Sequence, residues 1–207
     1  NGTIDGGVTN ITVKRGEGFE VGSKPNTGYS YYKLVCSYDL QALYNTSKQK
    51  IVGSEVYTDS TCTITYTLNS YKVTLKVIGN DISQSKTFTV EHGKNASYGF
   101  DGTYFTQKSI NCINGNKGSY DGAKFVVSGI TGPDTCTLEV EPKKYTITIN
   151  NSSGTKIGEI KTNYTSSSVT QSFLSSTSTY KSIKCGNSNK TLTKTSEGSL
   201  TKYSFKH

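Results

Sequence analysis

Reactive side chains are few in this sequence. It has five cysteines, and His92 and His207 are its two histidines. Cys36, Cys112 and Cys185 close similar stretches, YYKLVC, QKSINC and TYKSIKC, whereas Cys62 and Cys136 lie in STCTIT and DTCTLE. A cysteine can ligate metal, act as a nucleophile or form a disulfide. Metal ligation fits poorly, because no CxxC occurs and histidines are scarce. Nucleophilic catalysis needs a base, and no motif ties a histidine to a cysteine. Cys36 and Cys62 are 26 positions apart and Cys112 and Cys136 are 24 apart, each within a run of alternating polarity. The matching separations predict two disulfides, Cys36–Cys62 and Cys112–Cys136, and hence an oxidising, extracellular setting. Aligning the end of the chain with Cys136-Thr137-Leu138-Glu139 puts Tyr203-Ser204-Phe205-Lys206 in its place. Cys185 therefore has no partner nearby. A buried free thiol is the expected state, and a bridge to another chain is the alternative.

Other chemistry is absent by motif: there is no P-loop, dinucleotide-binding GxGxxG, HExxH or GxSxG. Glu139 and Glu141 lie two apart on one strand and share a face, whereas paired catalytic carboxylates must flank a cleft. Asp81, Asp101 and Asp121 are isolated and form no calcium loop. No catalytic residue, metal or cofactor is expected, and the chain does not read as an enzyme. Two features read as candidate binding surface. One is a tyrosine cluster, Tyr29, Tyr31 and Tyr32 with Tyr38 and Tyr44, since tyrosine offers contact area at low entropic cost. On a strand Tyr31 and Tyr32 face opposite ways. The other is the basic end of the chain, where residues 151–207 hold 8 basic and 2 acidic groups, among them Lys181, Lys184, Lys190 and Lys194. A polysaccharide or anionic surface is the partner such charge would attract. Basic and aromatic residues do not interleave as in single-strand binders, so no specific nucleic acid is expected.

The elements that must carry these residues are strands. Tyr, Thr, Val and Ile are plentiful, with 15 Tyr against 7 Phe and no Met or Trp, and helix formers are scarce. Internal similarity divides the chain. Tyr71–Val77 (YKVTLKV) returns as Tyr145–Ile149 (YTITI) 74 positions later, Cys62 and Cys136 share that offset, and ITVKRG (Ile11–Gly16) returns as FTVEHG (Phe88–Gly93). Three units follow, at 1–69, 70–143 and 144–207. Thr61–Thr67 and Tyr71–Val77 alternate with period two, and Leu68-Asn69-Ser70 between them reads as a tight turn. Six or seven short strands per unit are expected, with little core shared between units. No window approaches 18 apolar residues, so no membrane span is expected. Asn-x-Ser/Thr sequons are frequent, Asn45 and Asn95 among them.

Three stretches, Lys24–Cys36 (KPNTGYSYYKLVC), Gly93–Phe100 (GKNASYGF) and Val126–Val140 (VVSGITGPDTCTLEV), give the unit its character. With them it resembles the bacterial immunoglobulin-like repeats of surface proteins and phage virion proteins. The resemblance covers nearly the whole chain. It implies an all-β fold, a tandem array of three small immunoglobulin-like β-sandwich repeats, used as spacer, stalk or adhesive module, and it brings no catalytic residues. Antibody-type domains differ, having a tryptophan and a much longer cysteine separation. An extracellular structural protein of an appendage, filament or phage particle is the expected role, and an adhesin or carbohydrate-binding module is the alternative.

One irregularity bears on partners. Aligning Ile11–Gly16 with Phe88–Gly93 places Asn1 near Ile78, so the first unit has no equivalent of YKVTLKV. Either a segment has been removed upstream or the strand is dispensable. Without it, backbone groups stay open along an edge. A neighbouring subunit could close that edge by strand addition, which makes a homo-oligomer or an assembly of subunits the expected state.

Overall fold

The computed structural model describes residues 1–4, 7, 10–150, 153–163, 170–175, 180, 182–185 and 188–206. The protein is all-β, and no α-helix occurs among these residues. In chain order the strands of 1–69 are β1 (Gly2–Ile4), β2 (Phe19–Pro25), β3 (Tyr29–Cys36), β4 (Ala42–Asn45), β5 (Lys50–Gly53) and β6 (Cys62–Leu68). Those of 70–143 are β7 (Ser70–Gly79), β8 (Ile82–Glu91), β9 (Ala96–Gly99), β10 (Phe105–Cys112), β11 (Lys117–Tyr120), β12 (Lys124–Ser128) and β13 (Asp134–Pro142). Those of 144–207 are β14 (Lys144–Asn150), β15 (Lys156–Asn163), β16 (Thr170–Ser175), β17 (Ser182–Cys185), β18 (Ser188–Thr191), β19 (Thr193–Glu197) and β20 (Leu200–Lys206). Every strand ladder among the described residues stays inside one of these three segments.

The alternation that predicts strands also decides which side is buried. On β7, Val73, Leu75 and Val77 are fully buried, while Lys72 and Lys76 point outward. The segment 70–143 forms two sheets, in the orders β10-β13-β7-β8 and β11-β12-β9. Phe125, Val127 and Ala96 from the second sheet meet Val73, Leu75, Val77, Leu138 and Val140 from the first in one core. β7 and β13 run parallel, with Leu75 opposite Cys136 and Val77 opposite Leu138. A parallel pair needs a long connection, and here the chain between them builds the second sheet.

The segment 1–69 repeats much of this arrangement. Its β2-β5-β4 order mirrors β9-β12-β11, with β1 added beside β2, and β3-β6 mirrors β10-β13. Both of these latter pairs carry an irregularity at the same place, between Tyr31 and Lys33 and between Gln107 and Ser109. Both close on a disulfide between directly opposed residues, Cys36–Cys62 and Cys112–Cys136, each with Cα atoms 4.0 Å apart. Among the described residues no strand of 1–69 matches β7 or β8, and β6 pairs with β3 alone.

The segment 144–207 pairs differently. Its sheets are β14-β15, β16-β20-β19 and β17-β18. Tyr203, which replaces the second cysteine in sequence, is buried and faces Phe173 and Lys194 across its ladders. Its ring meets Tyr180 edge-on at 5.2 Å. Cys185, the last residue of β17, opposes Ser188, so the alignment of Cys185 with Cys112 does not put it beside β20.

A second reading is corrected at Leu68-Asn69-Ser70. The alternating runs on either side do not form a hairpin, since β6 pairs β3 and β7 pairs β8 and β13. Asn69 is a one-residue joint. Its N–H donates to the Gly28 carbonyl at 2.8 Å, and its carbonyl accepts from His92 N–H at 2.8 Å. Period two identifies strands but not their partners: β3 and β13 are distant in sequence, whereas β8 follows β7 directly.

Truncating a fully buried aliphatic leaves a cavity that a packed interior cannot collapse. Leu75→Ala is expected to cost about 2–5 kcal/mol. Leu43→Ala, at a site 59% exposed, should stay within about 0.5 kcal/mol. Urea unfolding of the full chain followed by tyrosine fluorescence compares the two.

Candidate functional site

The tyrosines split by face. Tyr31 stacks on Tyr44 with ring centroids 4.7 Å apart, and Tyr44 meets Tyr66 edge-on. The Tyr44 hydroxyl donates to the Ser23 carbonyl at 2.7 Å, and the Tyr66 hydroxyl shares a 2.7 Å hydrogen bond with buried Ser23 Oγ. Burial, with Tyr66 alongside, pushes the Tyr44 phenol up to about 12. Tyr29 is half-buried at the start of β3. These rings and hydroxyls fill the interior of the first segment. Tyr32 differs: it is the extra residue between the Tyr31 and Lys33 ladder positions, is 64% exposed and has the Lys33 ammonium 6.0 Å from its ring centre. Of the tyrosines singled out in sequence as binding surface, Tyr32 and Tyr38, the latter 76% exposed, are free to meet a ligand.

The basic candidates do not gather into one described site. Lys194 is exposed on β19, with its ammonium 5.9 Å from the Tyr203 ring centre. Lys190 is half-buried on β18. Lys181 lies outside the described residues, as do the side chains of Lys184 and Cys185, so the free-thiol expectation for Cys185 falls outside them too.

A shallow cleft of about 470 Å3 runs beside Ile78, Lys108, Glu139, Glu141, Lys144 and Asn163. Glu139 there accepts from Lys108 Nζ at 2.6 Å and from Ser109 Oγ at 3.0 Å. Those bonds hold its carboxyl below the usual value. A carboxylate held ionised at an open surface makes a poor general acid.

Asp134 is the one buried carboxylate among the described residues. Cys112 and Cys136 lie within 4.8 Å of it, as metal ligands would, but the sulfurs are joined to each other. Asp134 instead collects N–H groups. Oδ1 accepts from the backbone N–H of Asn114 at 3.0 Å and of Thr135 at 2.7 Å. Oδ2 accepts from Asn116 Nδ2 at 2.8 Å and its backbone N–H at 3.3 Å. Burial alone would raise its pKa, but these bonds outweigh it and hold the carboxyl below its ordinary 3.8. Asp134 thus pins the Asn114-Gly115 turn to the start of β13. Neither its burial nor its partners could be read from the PDT stretch.

The most distinctive geometry lies along β6. The row facing inward on β13, Cys136 and Leu138, is fully buried. The matching row on β6, Cys62 and Ile64, is only half-buried. The neighbourhood agrees. Gly16 and Gly93 adopt the same left-handed backbone, at φ 83° and 79°. Gly16 N–H donates to the Val56 carbonyl at 2.9 Å, as Gly93 N–H does to Ile130 at 2.7 Å. Upstream of Gly93, Phe88–Glu91 is strand paired with β7. Upstream of Gly16, the similar residues Ile11–Lys14 are no strand, and Ile11 is 45% exposed. Two described apolar residues of 1–69, Ile51 and Tyr66, are buried, against twelve in 70–143. The ITVKRG/FTVEHG match signalled this region in the sequence, but not that Ile11–Lys14 would remain unpaired.

Asp134 gives a pH test. Its carboxyl is depressed in the folded state, so its contribution to stability is present above the unfolded value, near 3.8, and is lost as pH falls through the lower folded value. Asp134→Asn presents an amide N–H2 to other N–H donors and should cost about 1–3 kcal/mol at neutral pH. Thermal melts should show the gap between wild type and variant closing below about pH 4. A gap that widens on acidification would contradict the assignment.

Compared with protein-family models, curated proteins and solved structures, the chain matches none, so no relative lends it a site or an activity.

Proposed function

We propose that the protein is a non-catalytic structural component outside the cell. In this reading it is a tandem array of three small immunoglobulin-like sandwiches, at 1–69, 70–143 and 144–207, that builds or decorates a surface appendage, filament or phage particle. The observation that carries it is the repeated build of 1–69 and 70–143, in which a matching three-stranded sheet and a matching disulfide-closed strand pair recur, as in an array of like modules. The two disulfides support the oxidising setting, and each closes a loop that stabilises a thin-cored unit by about 3–4 kcal/mol in the chain-entropy model. Among the described residues no helix is long and apolar enough to cross a membrane.

A second reading, an adhesin or carbohydrate-binding module, rests on Tyr32, whose exposed ring beside Lys33 could stack on a sugar.

Light scattering on the full chain tests the first reading. A mass above that of one chain, rising with concentration, is expected. A single monomer at every concentration, with the first segment folded, would sink it. The second reading expects glycan binding that Tyr32→Ala abolishes while leaving the unfolding curve unchanged.

A further inference from the structure

The turn that Asp134 pins contains a reactive bond. Asn114 is exposed and is followed by Gly115. An asparagine side chain is open to attack by the backbone nitrogen of the next residue, and glycine leaves that nitrogen unshielded because it has no Cβ. Gly115 has φ 82°, and a Cβ placed on it would meet nothing within 4 Å, so space for a small ring is free there. The hydrogen bonds of the turn also leave the attacking group out. Asp134 accepts from the backbone N–H of Asn114, Asn116 and Thr135, and Gly115 N–H is not among the groups it collects. Other asparagines are placed differently. Asn1 also precedes a glycine, but Gly2 lies in β1, where a Cβ would run into the Tyr66 ring. Asn45 is followed by Thr46 and Asn95 by buried Ala96. Their side-chain carbonyls accept from Lys48 N–H at 2.9 Å and from Gly129 N–H at 3.0 Å.

We propose that Asn114 is a site of spontaneous covalent modification, converted through a cyclic imide to aspartate and isoaspartate, and that the conversion releases the turn from Asp134. The Gly115 nitrogen bonds to Asn114 Cγ, the Cγ–Nδ2 bond breaks, and Nδ2 leaves as ammonia with the proton from Gly115. Water then opens the imide at either carbonyl. Opening at Cγ leaves an aspartate. Opening at the backbone carbonyl leaves an isoaspartate, with the chain running through the former side chain. Water is the only co-reactant. Either product weakens the turn. Asn114 Nδ2 donates to the Pro133 carbonyl at 2.8 Å, and a carboxylate has no N–H to donate. The new charge stands beside the Asp134 carboxylate, whose Oδ1 is 3.0 Å from Asn114 N, and like charges that close repel. An isoaspartate also lengthens the backbone and shifts the Asn116 N–H away from Oδ2. The loosening falls at the end of β10 and β13 that Cys112–Cys136 closes. In 1–69 the residues after Cys36 are Ser37-Tyr38-Asp39, so the corresponding end carries no such bond.

Peptide mapping by mass spectrometry tests this on the intact protein, aged at physiological pH and temperature. The peptide holding Asn114 should gain the mass of an amide turned acid, as two products that separate chromatographically, well before the peptides holding Asn45 and Asn95 do. Asp134→Asn should quicken the change about tenfold, because the turn opens more often. Asn114→Asp should lower the melting temperature by about 4 °C or more. Aged wild-type protein, separated from fresh protein by its added negative charge, should melt early in the same way, which keeps the test open if the variant does not fold. An Asn114 peptide that stays unchanged, or changes no sooner than those of Asn45 and Asn95, would overturn the proposal. So would an unaltered rate in Asp134→Asn, or aged protein that melts like fresh.

Discussion

A strand in the middle of a sheet has to satisfy two edges and one face at once, and β7 shows what depends on that. Its N–H and C=O groups are divided between β8 and β13, and its Val73, Leu75 and Val77 complete the core. With β7 in place, the sheet β10-β13-β7-β8 has a continuous inner surface and twelve buried apolar residues stand behind it. In the first segment a matching second sheet and disulfide pair are present, and among the described residues no strand takes the places of β7 and β8. Ile64 is half-buried there, Ile11–Lys14 is no strand, and Tyr31, Tyr44, Tyr66 and Ser23 form a network of ring contacts and hydrogen bonds. Hydrophobic burial and backbone hydrogen bonding are coupled through a single element, so removing it weakens both.

The disulfides and the buried carboxylate do complementary work at the other end of the same strands. Cys112–Cys136 fixes the last register pair of β10 and β13, and Asp134 ties the adjoining turn to the start of β13. The first segment keeps the sulfur bridge and places Ser60 where Asp134 would be. The last segment has neither bridge nor aspartate. It buries Tyr203 against Tyr180 instead and rewires β20 between β16 and β19. Three related sequences therefore close their cores by different means, and ladder order changes where the staple is lost.

Much of this was legible from residue types and spacing. The period-two runs around Cys62 and from Tyr71 to Val77 mark strands, because alternation on a two-faced sheet leaves a pattern in the sequence itself. The similar cysteine separations, 26 and 24, mark the bridges. What could not be read is non-local. Nothing near Leu68-Asn69-Ser70 says that β6 and β7 turn away from each other, because β3 and β13, which take one edge of each, lie far along the chain. Ile11–Lys14 has the composition of a strand but forms none, whereas the similar Phe88–Glu91 pairs with β7. Alternation sets Tyr31 and Tyr32 on opposite faces, but the run of aromatics does not say which of the two is exposed; in the β3 ladder Tyr32 is the extra, exposed residue and Tyr31 the stacked one.

The parallel seating of β7 against β13 has a mechanical meaning. The chain enters 70–143 at the start of β7 and leaves it at the end of β13, and these two strands are neighbours pointing the same way. Tension along the polypeptide pulls them in opposite directions along their shared axis. The hydrogen bonds between them are then strained in shear, all together, rather than peeled apart one at a time. A domain held this way resists stretching far better than its thermodynamic stability alone would suggest.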